Sequence, residues 1–96
     1  DAPNERMALR NNPFATGSAS VVFTLPHPSH IAVRVLDIAG RNLRTLASGP
    51  YGAGEHVLTW NGADEHGGLL PHGVYFIELL DRDSGRHDTR KIVLLR

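Results

Sequence analysis

Apolar and polar residues alternate with a period of two along most of this chain, and Gly, Pro, Asn and Asp interrupt the alternation at short intervals. The stretch from Gly54 to Asp81, GEHVLTWNGADEHGGLLPHGVYFIELLD, organises the rest. In its first arm His56, Leu58 and Trp60 fall on one face of an extended chain and Glu55, Val57 and Thr59 on the other, as in a half-buried strand. Trp60, the only tryptophan, is therefore expected in the core. In the second arm Tyr75, Ile77 and Leu79 share a face opposite Val74, Phe76 and Glu78, and the charge on Glu78 assigns the latter face to water. Between the arms, Asn61-Gly62 and His66-Gly67-Gly68 mark turns, and Pro71 keeps a strand from starting before Gly73.

Elsewhere the same pattern recurs. Residues 1–6 are polar, contain Pro and lack periodicity, so they read as a linker remnant before a domain spanning 7–96. Met7 to Arg10 can add a short first strand. Asn11-Asn12-Pro13 breaks it, Phe14 caps one end of the core, and Ala15 to Ser18 reads as loop. Val21, Phe23 and Leu25 then alternate with Val22 and Thr24 until Pro26. From His30 to Asp37, Ile31, Val33 and Val35 oppose Ala32, Arg34 and Leu36. Asp37 to Gly40 fits a turn in which Asp caps backbone amides and Gly supplies a positive φ, so Arg41 to Leu46 returns as a hairpin partner with Leu43 and Leu46 buried. Ser48 to Gly54 reads as loop. Asp81 to Gly85 forms another hairpin turn, and Arg86 to Leu95 a final strand with Ile92 and Leu94 inward. The pattern predicts an all-β antiparallel sandwich of about seven short strands; no crossover helix is available for an α/β fold.

Composition narrows the function. Lys plus Arg and Asp plus Glu number ten each, so there is no basic field to hold nucleic acid. No apolar run approaches the about 18 residues of a membrane span, and the lack of a signal-peptide pattern in these residues says nothing about secretion. Asp1 in place of an initiator Met is expected for a processed product or an excised piece. The absence of cysteine excludes a disulfide framework and a thiolate metal site.

Candidate chemistry is sparse. His27 and His30 are three apart, and His66 and His72 flank the turn region, but zinc needs three or four converging ligands and no third partner is spaced for it. Asp81-x-Asp83-x-Gly85 resembles the front of a calcium loop without its later oxygen ligands, and reads as a turn. Asn61, Asp64 and Glu65 offer a looser calcium set, competing with their use as turn caps. Ser18, Ser20, Ser29, Ser48 and Ser84 lie in loops or at strand edges, without a G-x-S-x-G elbow. No enzyme activity and no cofactor are expected. Among the aromatics, Phe23, Trp60 and Tyr75 fall to the core, which leaves Tyr51 and Phe76 to face solvent, two scattered rings where a sugar-binding platform needs an array.

Several motifs, in order, resemble a known family: Asn11-Asn12-Pro13-Phe14; Val21-x-Phe23-x-Leu25-Pro26; Val33-x-Val35-x-Asp37-x-x-Gly40-Arg41; Gly54-x-His56-x-x-x-Trp60-Asn61-Gly62-x-Asp64-x-x-Gly67; Gly73-Val74-Tyr75; and Thr89-Arg90-Lys91 before a short apolar end. They are similar to the immunoglobulin-like domain of the flagellar hook-capping protein (FlgD-like Ig fold), a pattern that overlaps the type A C-terminal sorting domain of the type IX secretion system. The resemblance covers the chain from about Leu9 to Arg96. It implies an immunoglobulin-like sandwich, Trp60 and Tyr75 as buried organisers, and fixed turns at Asp37–Gly40 and Asn61–Gly67. It also implies that Lys91, Ile92, Val93, Leu94 and Leu95, ending at Arg96, form a terminal strand read by export machinery. The opening departs from the Tyr-Pro-Asn-Pro form common in sorting domains, and Asn61 stands where Asp is common.

Val93 and Leu95, beside the Val74 and Phe76 face, would give an exposed apolar stripe unless a long loop or the upstream domain covers it; uncovered, with a free edge, such a strand is suited to docking by strand addition. The function expected is a non-catalytic C-terminal module of a larger secreted or cell-surface bacterial protein, reached through the periplasm and serving export, attachment or spacing. Its partners would be an upstream domain of the same polypeptide and the secretion or anchoring machinery. The alternatives are a carbohydrate-binding accessory module with a weak glycan ligand, and a hook-cap-like assembly domain.

Overall fold

The computed structural model describes residues 7–14 and 17–95; the expected linker at 1–6, Ala15 and Thr16 of the expected loop, and Arg96 lie outside the described residues. Seven strands follow in order: β1 (Met7–Arg10), β2 (Ala19–Leu25), β3 (Ser29–Leu36), β4 (Asn42–Tyr51), β5 (Gly54–Trp60), β6 (Gly73–Asp81) and β7 (His87–Leu94). They form two antiparallel sheets, β1-β2-β5 and β4-β3-β6-β7. No helix occurs among the described residues.

The sheets pack through the faces that alternation assigned to the interior. Val21, Phe23 and Leu25 of β2 meet Ile31, Val33 and Val35 of β3, Tyr75, Ile77 and Leu79 of β6, and Ile92 and Leu94 of β7, all buried. Trp60, at the end of β5, is 0% exposed. Its ring meets Phe14 edge-on at 5.6 Å and Tyr75 edge-on at 5.7 Å, the geometry that the aromatic quadrupole favours. Its one polar atom is satisfied, since Nε1–H donates to the Ala63 carbonyl at 2.9 Å. The Tyr75 hydroxyl donates to the Pro71 carbonyl at 2.7 Å. Both rings thus tie the 61–72 connection to the core.

The fourth strand differs from expectation. It runs through Ser48, Gly49 and Pro50 to Tyr51 in place of ending at Leu46 and giving way to a loop. Pro50 has no N–H to give, yet it sits opposite His30, whose own backbone turns away: the His30 N–H donates to Asp83 Oδ2 at 3.0 Å and its carbonyl accepts from Arg82 at 2.8 Å. At this edge position the missing donor costs nothing. Register shifts between Val33 and Arg34, and between Val35 and Leu36, bend β4, so Ala47 is its buried residue while Leu43 and Leu46 are half-buried against the core. Tyr51, expected in solvent, is a second correction. Its ring packs edge-on to Phe23 at 5.8 Å and to His56 at 5.2 Å, because the prolonged strand carries it onto the core. Phe76 is half-buried on the outer face of β6.

Removing the Trp60 side chain empties the junction between the sheets and frees Phe14 and Tyr75. Trp60→Ala is expected to cost about 3–5 kcal/mol, read as a lowered urea midpoint.

Candidate functional site

The residues of the Asp37 and Asn61–Gly67 turns, Gly73, Tyr75 and the end of the terminal strand gather at one end of the sandwich, whereas His30, Tyr51, Asp81 and Asp83 lie at the other. Leu36 pairs with Phe76, and Gly73 pairs with Leu94, so the β3–β4 turn, the start of β6 and the end of β7 share that end. Phe14 and Trp60 lie there too.

The first turn is built by Asp37. One carboxylate oxygen accepts from the N–H groups of Ala39 and Arg41, both at 2.9 Å, and the other pairs with the Arg41 guanidinium at 2.7 Å. Gly40, at φ 83°, closes the turn by donating its N–H to the Asp37 carbonyl at 2.9 Å. The Arg41 backbone N–H, more than anything else, holds the Asp37 carboxyl below its ordinary value. Partial desolvation opposes this, while the Arg41 side chain and the Ala39 N–H reinforce it.

The second turn follows Trp60. Asn61 Oδ1 accepts from the Ala63 N–H and the Arg44 guanidinium, both at 3.1 Å. Gly62 is buried and its carbonyl accepts from Leu70 at 2.9 Å. Asp64 Oδ1 accepts from His66 and Gly68, both at 2.9 Å, and Gly67 at φ 86° lets the chain reverse around it. Glu65 then reaches β4: its N–H donates to the Leu43 carbonyl at 3.0 Å and its carboxylate accepts from the Thr45 N–H at 2.9 Å. Asn61, Asp64 and Glu65 therefore aim their side-chain oxygens at three different places, and this trio makes a scaffold in place of a calcium cage. Asp81 and Asp83 are likewise occupied within their turn and with His30. Among the described residues no three His, Cys, Asp or Glu side chains converge as metal ligands do.

The terminal strand lies against the N-terminal segment. Ile92 and Leu94 point into the core, while Lys91, Val93 and Leu95 face outward. Beyond β1 the chain crosses between sheets at the cis bond Asn12–Pro13, and Phe14 forms a parallel bridge with Leu94. Four hydrogen bonds close this edge. Asn12 Nδ2 donates to the Lys91 carbonyl at 3.0 Å and its Oδ1 accepts from Val93 at 2.9 Å; Phe14 donates to the Val93 carbonyl at 3.1 Å and accepts from Leu95 at 2.9 Å. The expectation of a free edge for strand addition is overturned over Lys91–Leu95, because this chain already fills it. Asn12 is the residue that sequence reading undervalued. Its amide offers the donor and the acceptor of a peptide group, which is what a strand edge needs beside a Pro that cannot donate.

The apolar stripe is nonetheless present on the outer face. Val74 is 38% and Leu95 48% exposed, Val93 pairs beside Val74, and Phe76 pairs with Leu36. Next along this face the Arg34 guanidinium binds Glu78, with Nε at 3.1 Å.

Fold and site together define an immunoglobulin-like sandwich whose distinctive residues serve turns, sheet edges and one outer face. The chain belongs to the FlgD Ig-like domain family, whose model matches residues 10–85. It is 34% identical over 55 residues to the basal-body rod modification protein FlgD of Salmonella typhimurium, and equally to that of Salmonella typhi. That alignment covers 57% of this chain and 24% of the relatives, so the chain spans about a quarter of their length. Among solved structures, FlgD of P. aeruginosa shares the fold at a TM-score of 0.64 and 22% identity, covering 97% of this chain and 76% of that one. PorZ, an essential bacterial surface component of the type-IX secretion system of Porphyromonas gingivalis, gives a TM-score of 0.64 at 18% identity, over 94% of this chain and 11% of that one.

Because the folded state depresses the Asp37 carboxyl, Asp37 contributes stability above its ordinary titration range that is lost as pH falls through the depressed value. Asp37→Asn keeps an acceptor and removes the charge. Urea unfolding followed from neutral pH into acid is expected to show a shallower acid loss for the variant than for the native chain.

Proposed function

We propose that this domain is a non-catalytic module of a larger secreted or cell-surface bacterial protein, reached through the periplasm, and that it serves export sorting, surface attachment or spacing. The observation that carries this reading is the apolar stripe of Val74, Phe76, Val93 and Leu95, set on the outer face at the terminal strand and bordered by Lys91. Apolar surface of this kind, rimmed by charge, favours a partner that covers it. Likeness of fold to a surface component of a secretion system supports the same direction. Recognition in this reading uses the outward side chains of a folded strand, since the backbone edge of Lys91–Leu95 is occupied.

A hook-cap-like assembly role is the second reading, favoured by the 34% identity to basal-body rod modification proteins. Both readings need a partner on the outer face, and they separate by which larger protein contains the domain. The carbohydrate reading weakens with Tyr51, whose ring is engaged edge-on by Phe23 and His56 and offers no open platform. In affinity gels against a panel of polysaccharides, the native domain and Tyr51→Ala are expected to migrate alike and unretarded. Retardation of the native domain that Tyr51→Ala abolishes would put glycan binding first.

Deleting Lys91 to Arg96 would remove Ile92 and Leu94, which are 0% and 1% exposed, and would test folding in place of sorting. The informative change is Lys91→Glu with Val93→Thr, which alters the outward side chains and leaves the core intact. In the full-length protein in its native host, loss of export or attachment with an unaltered circular dichroism spectrum of the purified domain is expected. Unchanged export and attachment would defeat the sorting form of this proposal.

A further inference from the structure

We propose that the domain bears tension between its two ends, with Asn12–Phe14 and the end of β7 forming a shear clamp; this rests on the attachment or spacing form of the proposed function, in which load passes through the domain. Met7 pairs with Phe23, near the Leu25 end of β2, whereas Phe14 lies beside Leu94 at the Trp60 end. The first segment and β7 therefore climb the sandwich in the same direction. A pull through Met7 on one side and Leu95 on the other draws them past each other along their own axes.

The parallel arrangement decides how the bonds share that load. The four hydrogen bonds between Asn12–Phe14 and Lys91–Leu95 are stretched together, and all must fail for the segment to slide. The same bonds pulled at right angles would open one after another. Sliding is also opposed by side chains: Phe14 is buried against Trp60, and a one-residue slip would turn it away from that site. The Met7–Arg10 pairing with Phe23–Ser20 lies along the same line of force and adds to the resistance. Asn12 supplies two of the four bonds through its side chain alone, so its contribution can be removed without altering the backbone.

Single-molecule force spectroscopy on this chain tests the clamp, with handles at both chain ends compared with handles at the C-terminal end and at Ile38→Cys. Ile38 is 79% exposed and lies at the same end of the sandwich as Leu95, so the second geometry pulls across the sheet. End-to-end pulling is expected to need clearly the higher force. Asn12→Ala, held end to end at fixed force, is expected to unfold about tenfold faster than the native chain. Asp83→Ala, which loses the bond from the His30 N–H at the opposite end of the sandwich, is expected to be less stable in urea yet to keep the native lifetime under force. Equal forces in the two geometries would overturn the proposal even if Asn12→Ala failed to fold. So would an Asn12→Ala lifetime equal to the native one, or an Asp83→Ala lifetime shortened as much. None of these outcomes touches the export reading, which is judged by the outward side chains of Lys91 and Val93.

Discussion

A large indole must be kept from water with its one N–H paired, and much of this domain follows from how that demand is met at Trp60. The ring sits between the sheets with Phe14 and Tyr75 edge-on to it, and its N–H reaches Ala63 in the connection that follows. Three segments far apart in sequence, the crossing at Asn12–Phe14, the 61–72 connection and the start of β6, are thereby fixed at one end of the molecule. The Tyr75 hydroxyl adds a second tie to the same connection through Pro71.

With the interior closed in this way, interaction is left to the margins, and the margins are managed unevenly. Exposed strand edges invite unwanted pairing, and the four-stranded sheet blunts both of its own. On β4 the edge meets Pro50 and then Glu65, which supplies one backbone and one side-chain bond. On β7 the edge meets Asn12 and Phe14. The outer face near Val74 and Leu95 keeps its apolar side chains in view. Blunted edges beside an open face leave side chains, in place of backbone, as the accessible part of this end of the four-stranded sheet.

The inner faces were legible from alternation alone, because a strand with one wet side imprints its period on the sequence. Trp60, Tyr75, the Asp37 turn and the Asn61–Gly67 turn could be placed from local chemistry, and each lies where that chemistry put it. The end of β4 could not. Gly49 and Pro50 read as breakers until it is known that His30, opposite them, sends its backbone bonds elsewhere. Tyr51 was misplaced by the same omission. The roles of Asn12 and Glu65 were hidden for a related reason: a side chain that imitates a peptide group is recognisable only once the strand edge it serves is known. Asn12 and Val93 are 81 residues apart in sequence, and no local pattern joins them.

Because Trp60 is the single tryptophan, intrinsic fluorescence reports directly on the interaction that orders this end of the domain. Emission in the native state should be shifted to the blue of free indole and resist quenching by iodide, and both properties should vanish together in urea. Emission at the wavelength of a solvated indole, with ready quenching in the folded domain, would contradict the central role given to that ring.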